Sequence, residues 1–310
     1  MRIAIIGRTE ILYETALLLK DQGHEIALII TAKEAPEYTK TSADFRALAE
    51  AWGIPFFHAP RIDEVDNVAF EAIRDMSRVD IGVSLNYTGV IPQMVIDLFS
   101  LGILNAHGGD LPRFRGNACQ AWAIINGEER VGLCIHRMIG GELDSGDIIA
   151  RDYFPLSLST KVTAVYQWMN DRIPYLFLDA LKRLAEDPLY VLECQSKDPK
   201  YALRCYPRKP EDGLIDWNKS AAEILRLINA CNKPYAGAFC NFEGGKLLIW
   251  DAELATEEKF LAIPGQITQI GEGFVEVATG AGKLRVKEVE ASSGEKVPNQ
   301  VVRSIRQRFA

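Results

Sequence analysis

The sequence predicts an α/β protein, with a mainly parallel, Rossmann-like sheet domain followed by a small barrel-like β domain. Three observations carry this reading. The first half alternates short apolar runs with helix-length stretches, the rhythm of a parallel sheet covered by helices. A polar, proline-rich stretch, QSKDPKYALRCYPRKPEDG, then breaks the pattern. Beyond it, short apolar segments are separated by glycine-containing turns, as in a small barrel or sandwich. The chain has 310 residues, and single cores stop growing at roughly 250 to 300, so one large and one small domain is the natural division. The expected boundaries are a catalytic domain over 1–190, a linker over 191–207 and a second domain over 208–310.

The expected strands of the first domain are residues 2–7, 25–31, 55–59, 80–86, 102–107 and 131–138. Helices are expected over 10–22, 42–52, 64–77, 92–99 and 117–126, with Gly23 and Gly53 placed as helix C-terminal glycines. A long helix over 161–186 closes the domain, and Pro174 inside it marks a kink or a break. After a helix over 221–232, the strand candidates are AFCNF, KLLIW, GQITQI, FVEVAT and KLRVKEV.

Composition excludes several classes. Apolar residues make up 48% and charged residues 25%, and the 24 Gly and 14 Pro are dispersed, so a folded chain is expected. The opening MRIAIIG is too short for a secretory leader, and no run reaches the roughly 18 apolar residues of a membrane span. A cytoplasmic protein with no membrane partner is the expectation. Six cysteines at wide, irregular spacing, with no C-x-x-C pair, fit neither a disulfide framework nor a zinc site. No metal is expected. The net charge of -7 argues against non-specific attraction to nucleic acid, although a local basic pocket remains compatible with it.

The informative segment runs from Leu104 to Ala150. Asn105 and His107 are two apart near a strand end, so their side chains leave the sheet on the same face. Carboxyl ends of parallel strands border the ligand crevice. Further on, ELDSGD offers Asp144 in a turn from which a carboxylate can reach the imidazole. These three groups suit acyl transfer to an amine. The Asn105 amide can donate to a carbonyl oxygen that gains charge, an interaction worth about 10² to 10³ in rate. His107 can take the proton that the attacking amine loses, worth about 10² to 10⁴. Asp144 would orient the imidazole and favour its charged form.

At these residues the sequence resembles the 10-formyltetrahydrofolate-dependent formyltransferases, among them the nucleotide-sugar N-formyltransferases and the methionyl-tRNA enzymes. The shared pattern is an Asn-x-His pair, a Leu-Pro-x-aromatic-Arg-Gly loop and an Asp-(Ser/Thr/Ala)-Gly turn. Asn105 and His107, Leu111 to Gly116, and Asp144 to Gly146 match it in order. The resemblance continues through PRKPEDGLIDWNKSAAEILRLINACNKPYAGAF and covers nearly the whole chain. It implies the formyltransferase fold, an OB-like second domain and 10-formyltetrahydrofolate as co-substrate. The folate would lie against the loop Ser84 to Ile91, using Ser84, Asn86, Tyr87, Thr88, Val90 and Ile91, and against Met138, Ile139 and Asp144. Leu111, Pro112, Arg113, Arg115 and Gly116 would border the acceptor amine, with Arg115 alternatively tying its loop to a carboxylate. One departure is the acidic Asp110 after Gly108 and Gly109, where the family commonly carries an apolar residue.

Other residues read more simply. Gly7 ends the first strand, but GRTEILYE lacks the G-x-G-x-x-G spacing for a pyrophosphate, so no nicotinamide cofactor is expected. Arg8 and Thr9 either touch a phosphate of the acceptor or stand as solvated groups. His136 is expected to be a packing or hydrogen-bonding histidine, and Cys119 and Cys134 core or wall residues. The segment TAKEAPEYTKTSADF sets Lys33 and Lys40 against Glu34, Glu37 and Asp44, too few uncompensated cations to track a phosphate backbone. The favoured acceptor is therefore a nucleotide-linked amino sugar, with methionyl-tRNA as the alternative. A formyltetrahydrofolate hydrolase and a non-catalytic folate- or sugar-binding protein are further alternatives. The expected partners are thus small molecules, with a homodimer allowed.

Overall fold

The computed structural model describes residues 1–36, 38–63, 68–76, 78–255, 259–291 and 294–310. In chain order the first elements are β1 (Arg2–Gly7), α1 (Glu10–Asp21), β2 (Glu25–Thr31), α2 (Ser42–Trp52), β3 (Phe56–His58), α3 (Val68–Asp75), β4 (Ile81–Leu85), α4 (Gln93–Ile96) and β5 (Ile103–His107). There follow β6 (Arg115–Gly116), α5 (Cys119–Asn126), β7 (Arg130–Arg137), β8 (Ile148–Pro155), α6 (Val162–Glu186) and β9 (Arg204–Cys205). The C-terminal region holds α7 (Ala221–Ala230), β10 (Ala238–Phe242), β11 (Gly245–Leu254), β12 (Ile267–Gly271), β13 (Phe274–Ala278), β14 (Lys283–Ala291) and α8 (Pro298–Val301).

Two compact units emerge, and neither is continuous in sequence. One comprises Met1–Gly116, Gly132–Tyr153 and Gln167–Arg204; the other Asn117–Val131, Phe154–Tyr166 and Cys205–Ala310. The first unit is built on a sheet of order β3-β2-β1-β4-β5-β7-β8. Pairing is parallel from β3 through β5. β7 runs antiparallel to β5. The central strands β1, β2 and β4 are buried almost throughout, which is why they read as continuous apolar runs rather than alternating ones. On one face Ile6, Ile30, Phe70, Val95 and Ile103 form a continuous core.

Helix α2 begins where expected because Thr41 and Asp44 form a reciprocal capping box, and it stops at Gly53 in the left-handed region. The helix expected over 64–77 is present as α3, while residues 64–67 and 77 lie outside the described residues. Three expectations need correction. The helix over 92–99 shrinks to the four residues of α4, followed by turns. α6 runs through Pro174 without a break. The linker stretch is not wholly irregular, since Pro199–Tyr201 and Pro210–Gly213 are 3-10 turns, each with proline in its first turn. β8 was not expected, because Ile148–Pro155 follows directly on the ELDSGD turn and its polar half obscures the apolar half.

The second unit carries a five-stranded antiparallel sheet of order β10-β11-β14-β13-β12. All five segments named from the sequence are its strands. Its core packs Trp217, Ile228, Ile249, Val277, Val286 and Phe309. At one position this unit buries charge. Glu276 on β13 is 2% exposed and meets Lys283 Nζ at 3.1 Å and Arg285 at 2.9 Å.

Candidate active site

The site grows from the C-terminal ends of β4 and β5. The strand register aligns Ser84 with Asn105, and Asn105 with His136 on β7, so the three side chains share one face of the sheet. His107 follows two residues after Asn105 on that face. Gly7 is required at the end of β1 because it sits at φ 138° and a Cβ there would lie 2.0 Å from the Leu85 carbonyl oxygen. The tight approach is to β4, not to a pyrophosphate.

Asp144 reaches the same place. Its Oδ2 lies 3.6 Å from His107 Nδ1, its Oδ1 lies 3.5 Å from His136 Nε2, and Oδ2 accepts the Gly116 backbone N–H at 2.9 Å. The turn can bring it there because Gly146 passes so close to Arg137 that a Cβ would sit 1.9 Å from the Arg137 carbonyl oxygen. Burial works against the charge on Asp144, but the two imidazoles and the Gly116 N–H hold its carboxyl well below the usual carboxylate range.

His107 is 7% exposed. Its Nε2 donates to the Phe114 carbonyl at 2.6 Å, so in the neutral ring Nδ1 is the nitrogen able to take up a proton. Burial lowers the His107 pKa below its ordinary value, while Asp144 and the Phe114 carbonyl pull the other way. The expectation that Asp144 favours the charged imidazole holds for its own contribution; burial outweighs it. Gly109 allows this packing, since a Cβ there would stand 2.6 Å from His107 Nε2 and 2.2 Å from the Phe114 carbonyl oxygen.

The folate-side residues divide by orientation. Asn86, Thr88 and Val90 are exposed, whereas Tyr87 and Ile91 turn into the core and Tyr87 donates to the Ala59 carbonyl at 2.6 Å. Across from this loop Gly140 N donates to Gln93 Oε1 at 2.8 Å, which brings the 138–144 segment beside it. Met138 packs against the core, and Ile139, Leu143 and Val90 remain open at 37%, 43% and 76% exposure. The Ser84 hydroxyl is buried and has no hydrogen-bond partner. Open apolar side chains around an unsatisfied hydroxyl fit a flat, partly polar ring system.

Several expected acceptor residues serve the scaffold instead. Thr9 is buried and caps α1 by accepting from Leu12 N. Arg8 donates to the Asn86 and Lys33 carbonyls, and its guanidinium lies 5.4 Å from the centre of the Tyr38 ring. Leu111 is buried with Cys134 and Ile148. Arg115 donates to the Gln195 amide oxygen, not to a carboxylate. Pro112 is partly buried and Gly116 holds Asp144, while Arg113 is exposed, its guanidinium 5.1 Å from the Phe114 ring. Asp110 pairs with Arg151 at 2.6 Å, and Arg151 also donates to the Leu111 carbonyl, so the acidic departure pins the loop to β8. Burial pushes the Cys134 thiol up to about 11, consistent with a core residue.

Comparison with known proteins agrees with this architecture. Residues 1–181 match the formyl transferase family and residues 208–304 match the formyl transferase C-terminal domain. The chain belongs to the formyl transferase family. It is accordingly an enzyme of folate-dependent formyl transfer, with 10-formyltetrahydrofolate as formyl donor. Methionyl-tRNA formyltransferase of Agathobacter rectalis is 27% identical over 293 residues, spanning 94% of this chain and 92% of the relative. That of Citrifermentans bemidjiense is 28% identical over 301 residues, 96% of this chain and 91% of the relative. Among solved structures, an N-formyltransferase from Helicobacter canadensis with folinic acid and dTDP-3-aminofucose superposes with a TM-score of 0.68 at 17% identity, covering 92% of this chain and 98% of that one. HypX from Aquifex aeolicus in complex with tetrahydrofolic acid gives 0.62 at 19% identity over 98% of this chain. The chain spans about half of HypX, 47% of its length. At these identities the structural likenesses speak for the fold.

Two residues of this formyl transferase stand at the site although the sequence did not place them there. Gln195 lies in the supposed linker, yet it is buried and donates to the Asp144 and Gly146 carbonyls at 2.9 and 2.7 Å, bracing the turn that carries Asp144. No local pattern marks it. His136 is buried and hydrogen-bonded as expected, but its partners are Asn105 and Asp144. Its signal was available in the alternation of β7, which gives it the same facing as Cys134, opposite His107 in the register.

Proposed function

We propose that Asn105, His107 and Asp144 carry N-formyl transfer and that the acceptor is the amine of methionyl-tRNA. The single observation that carries the chemistry is the buried His107–Asp144 pair at 3.6 Å beside Asn105. When bound, 10-formyltetrahydrofolate supplies the activated formyl group. Ser84, Asn86, Thr88, Val90 and Ile139 would hold it. The Asn105 amide donates to the formyl oxygen as that oxygen gains negative charge. His107 takes the attacking amine's proton at Nδ1 while Nε2 stays bonded to Phe114, Asp144 stabilises the resulting imidazolium, and the proton would then go to the folate nitrogen as its bond to the formyl carbon breaks. Arg113, exposed on the 111–116 loop, would border the acceptor.

Similarity at 27% and 28% over nearly the full length of both chains supports methionyl-tRNA as acceptor. A nucleotide-linked amino sugar is the second reading, favoured by the segment after β2. There the Lys40 ammonium rests 4.5 Å over the Tyr13 ring and Glu34 faces Ser42, while Glu37 lies outside the described residues. That surface offers few cations to an RNA backbone. Tetrahydrofolate release with each acceptor separates the two: turnover with methionyl-tRNA is expected, and turnover confined to nucleotide-linked 4-amino sugars would replace the first reading by the second.

The pH profile tests the proton carrier. Neutral His107 is the active base, so activity is lost as pH falls through a pKa that burial has already set below 6.5. Asp144→Asn removes a group that raises that pKa, so the acidic limb of kcat is expected to move to still lower pH, alongside a lower plateau. An unmoved limb would assign it to another group.

A further inference from the structure

His136 has three polar neighbours whose chemistry assigns the roles of its two ring nitrogens. The ring is 2% exposed. Nδ1 lies 2.9 Å from the Arg137 carbonyl, which only accepts, so Nδ1 carries a proton. Nε2 lies 3.3 Å from Asn105 Nδ2, which only donates, so in the neutral ring Nε2 is the acceptor. Reversing the Asn105 amide would set its oxygen against Nε2 and demand protons on both ring nitrogens. Nε2 also lies 3.5 Å from Asp144 Oδ1, an acceptor that only a protonated ring can serve. The neutral ring therefore binds Asn105, and the protonated ring binds Asp144.

We propose that His136 is a positioning residue for formyl transfer: neutral, it takes one amide proton of Asn105, fixes the plane of that amide and directs its second N–H at the formyl oxygen. It also leaves Asp144 to His107. The proposal rests on the role of Asn105 given above. The titratable groups facing the ring are His107 on β5, with ring centroids 6.3 Å apart, and Asp144 in the turn before β8; Arg115 acts on the same cluster through His107. A merely structural His136 would hold the sheet and leave the chemistry alone. A positioning His136 gives a signature in rate, in its rescue by a neutral acceptor and in the protons of its own ring.

Two variants separate these cases. His136→Gln keeps a neutral acceptor within reach of Asn105, whereas His136→Leu keeps bulk and removes the acceptor. His136→Leu is expected to lower kcat by on the order of 10², the scale of a lost alignment, with tetrahydrofolate affinity by calorimetry unchanged. His136→Gln should recover kcat to within about tenfold of the parent. Parent-like kcat in His136→Leu, or equal losses of kcat in both variants, would overturn the proposal. Nitrogen chemical shifts of the ring in the unmodified enzyme give a measurement independent of folding: Nδ1 protonated and Nε2 bare at neutral pH is expected, and a protonated Nε2 contradicts it. Full activity in His107→Ala would instead end the triad reading, so the two failures are distinguishable.

Discussion

His107→Ala is expected to lower kcat by about 10² to 10⁴ while tetrahydrofolate still binds. The magnitude follows from what the side chain does. It is not among the side chains proposed to hold the folate, so affinity for tetrahydrofolate should survive within a few-fold. Its Nδ1 is the atom placed beside Asp144 to take up a proton, whereas the His136 nitrogen near Asp144, Nε2, is already engaged by the Asn105 amide. Loss of the base therefore appears in kcat and not in binding. Single-turnover formyl transfer, compared with calorimetric affinity, separates the two, and parent-like turnover in the variant would end the proposed mechanism.

The second large effect concerns stability of the C-terminal unit. Glu276→Gln is expected to destabilise that unit by about 3 to 5 kcal/mol, because it removes the carboxylate that the Lys283 ammonium, on a side chain only 5% exposed, meets at 3.1 Å. Arg285 is a third exposed and also pairs with Glu253, so it can turn outward. Replacing both Glu276 and Lys283 by leucine and methionine should recover most of the loss, since the buried pair is then removed as a whole. Urea unfolding followed for the C-terminal unit checks both. The pair also sets a pH window. Burial opposes the charge on Glu276, but Arg285 and Lys283 pull its pKa below the ordinary value. Its contribution is thus complete above the unfolded value of about 4.3 and is lost as pH falls through the lower folded value. An unchanged urea midpoint in Glu276→Gln would mean that water reaches Lys283.

Local pattern sufficed wherever the governing interactions are local. The capping box of Thr41 and Asp44 with Gly53 marked both ends of α2, and the period-two facing of Asn105 and His107 placed them on one side of β5 before any coordinates. The ordered motifs from Asn105 to Gly146 carried the family, and two glycines within that stretch answer close approaches: Gly109 to the His107 ring and the Phe114 carbonyl, Gly146 to the Arg137 carbonyl. Partners distant in sequence were not legible. Arg8 reaches across to Asn86, Gln195 returns over fifty residues to hold Asp144, and Arg151 reaches back to Asp110. Such choices depend on strand register and on which loops meet at the sheet end, and no periodicity encodes them. The sequence by itself determined the fold class, the strand and helix set and the three chemical groups. Only the tertiary structure decided that burial outweighs Asp144 in setting the His107 pKa, and that His136 stands beside Asn105, because desolvation and hydrogen-bond partnership exist only once the strands have closed around them.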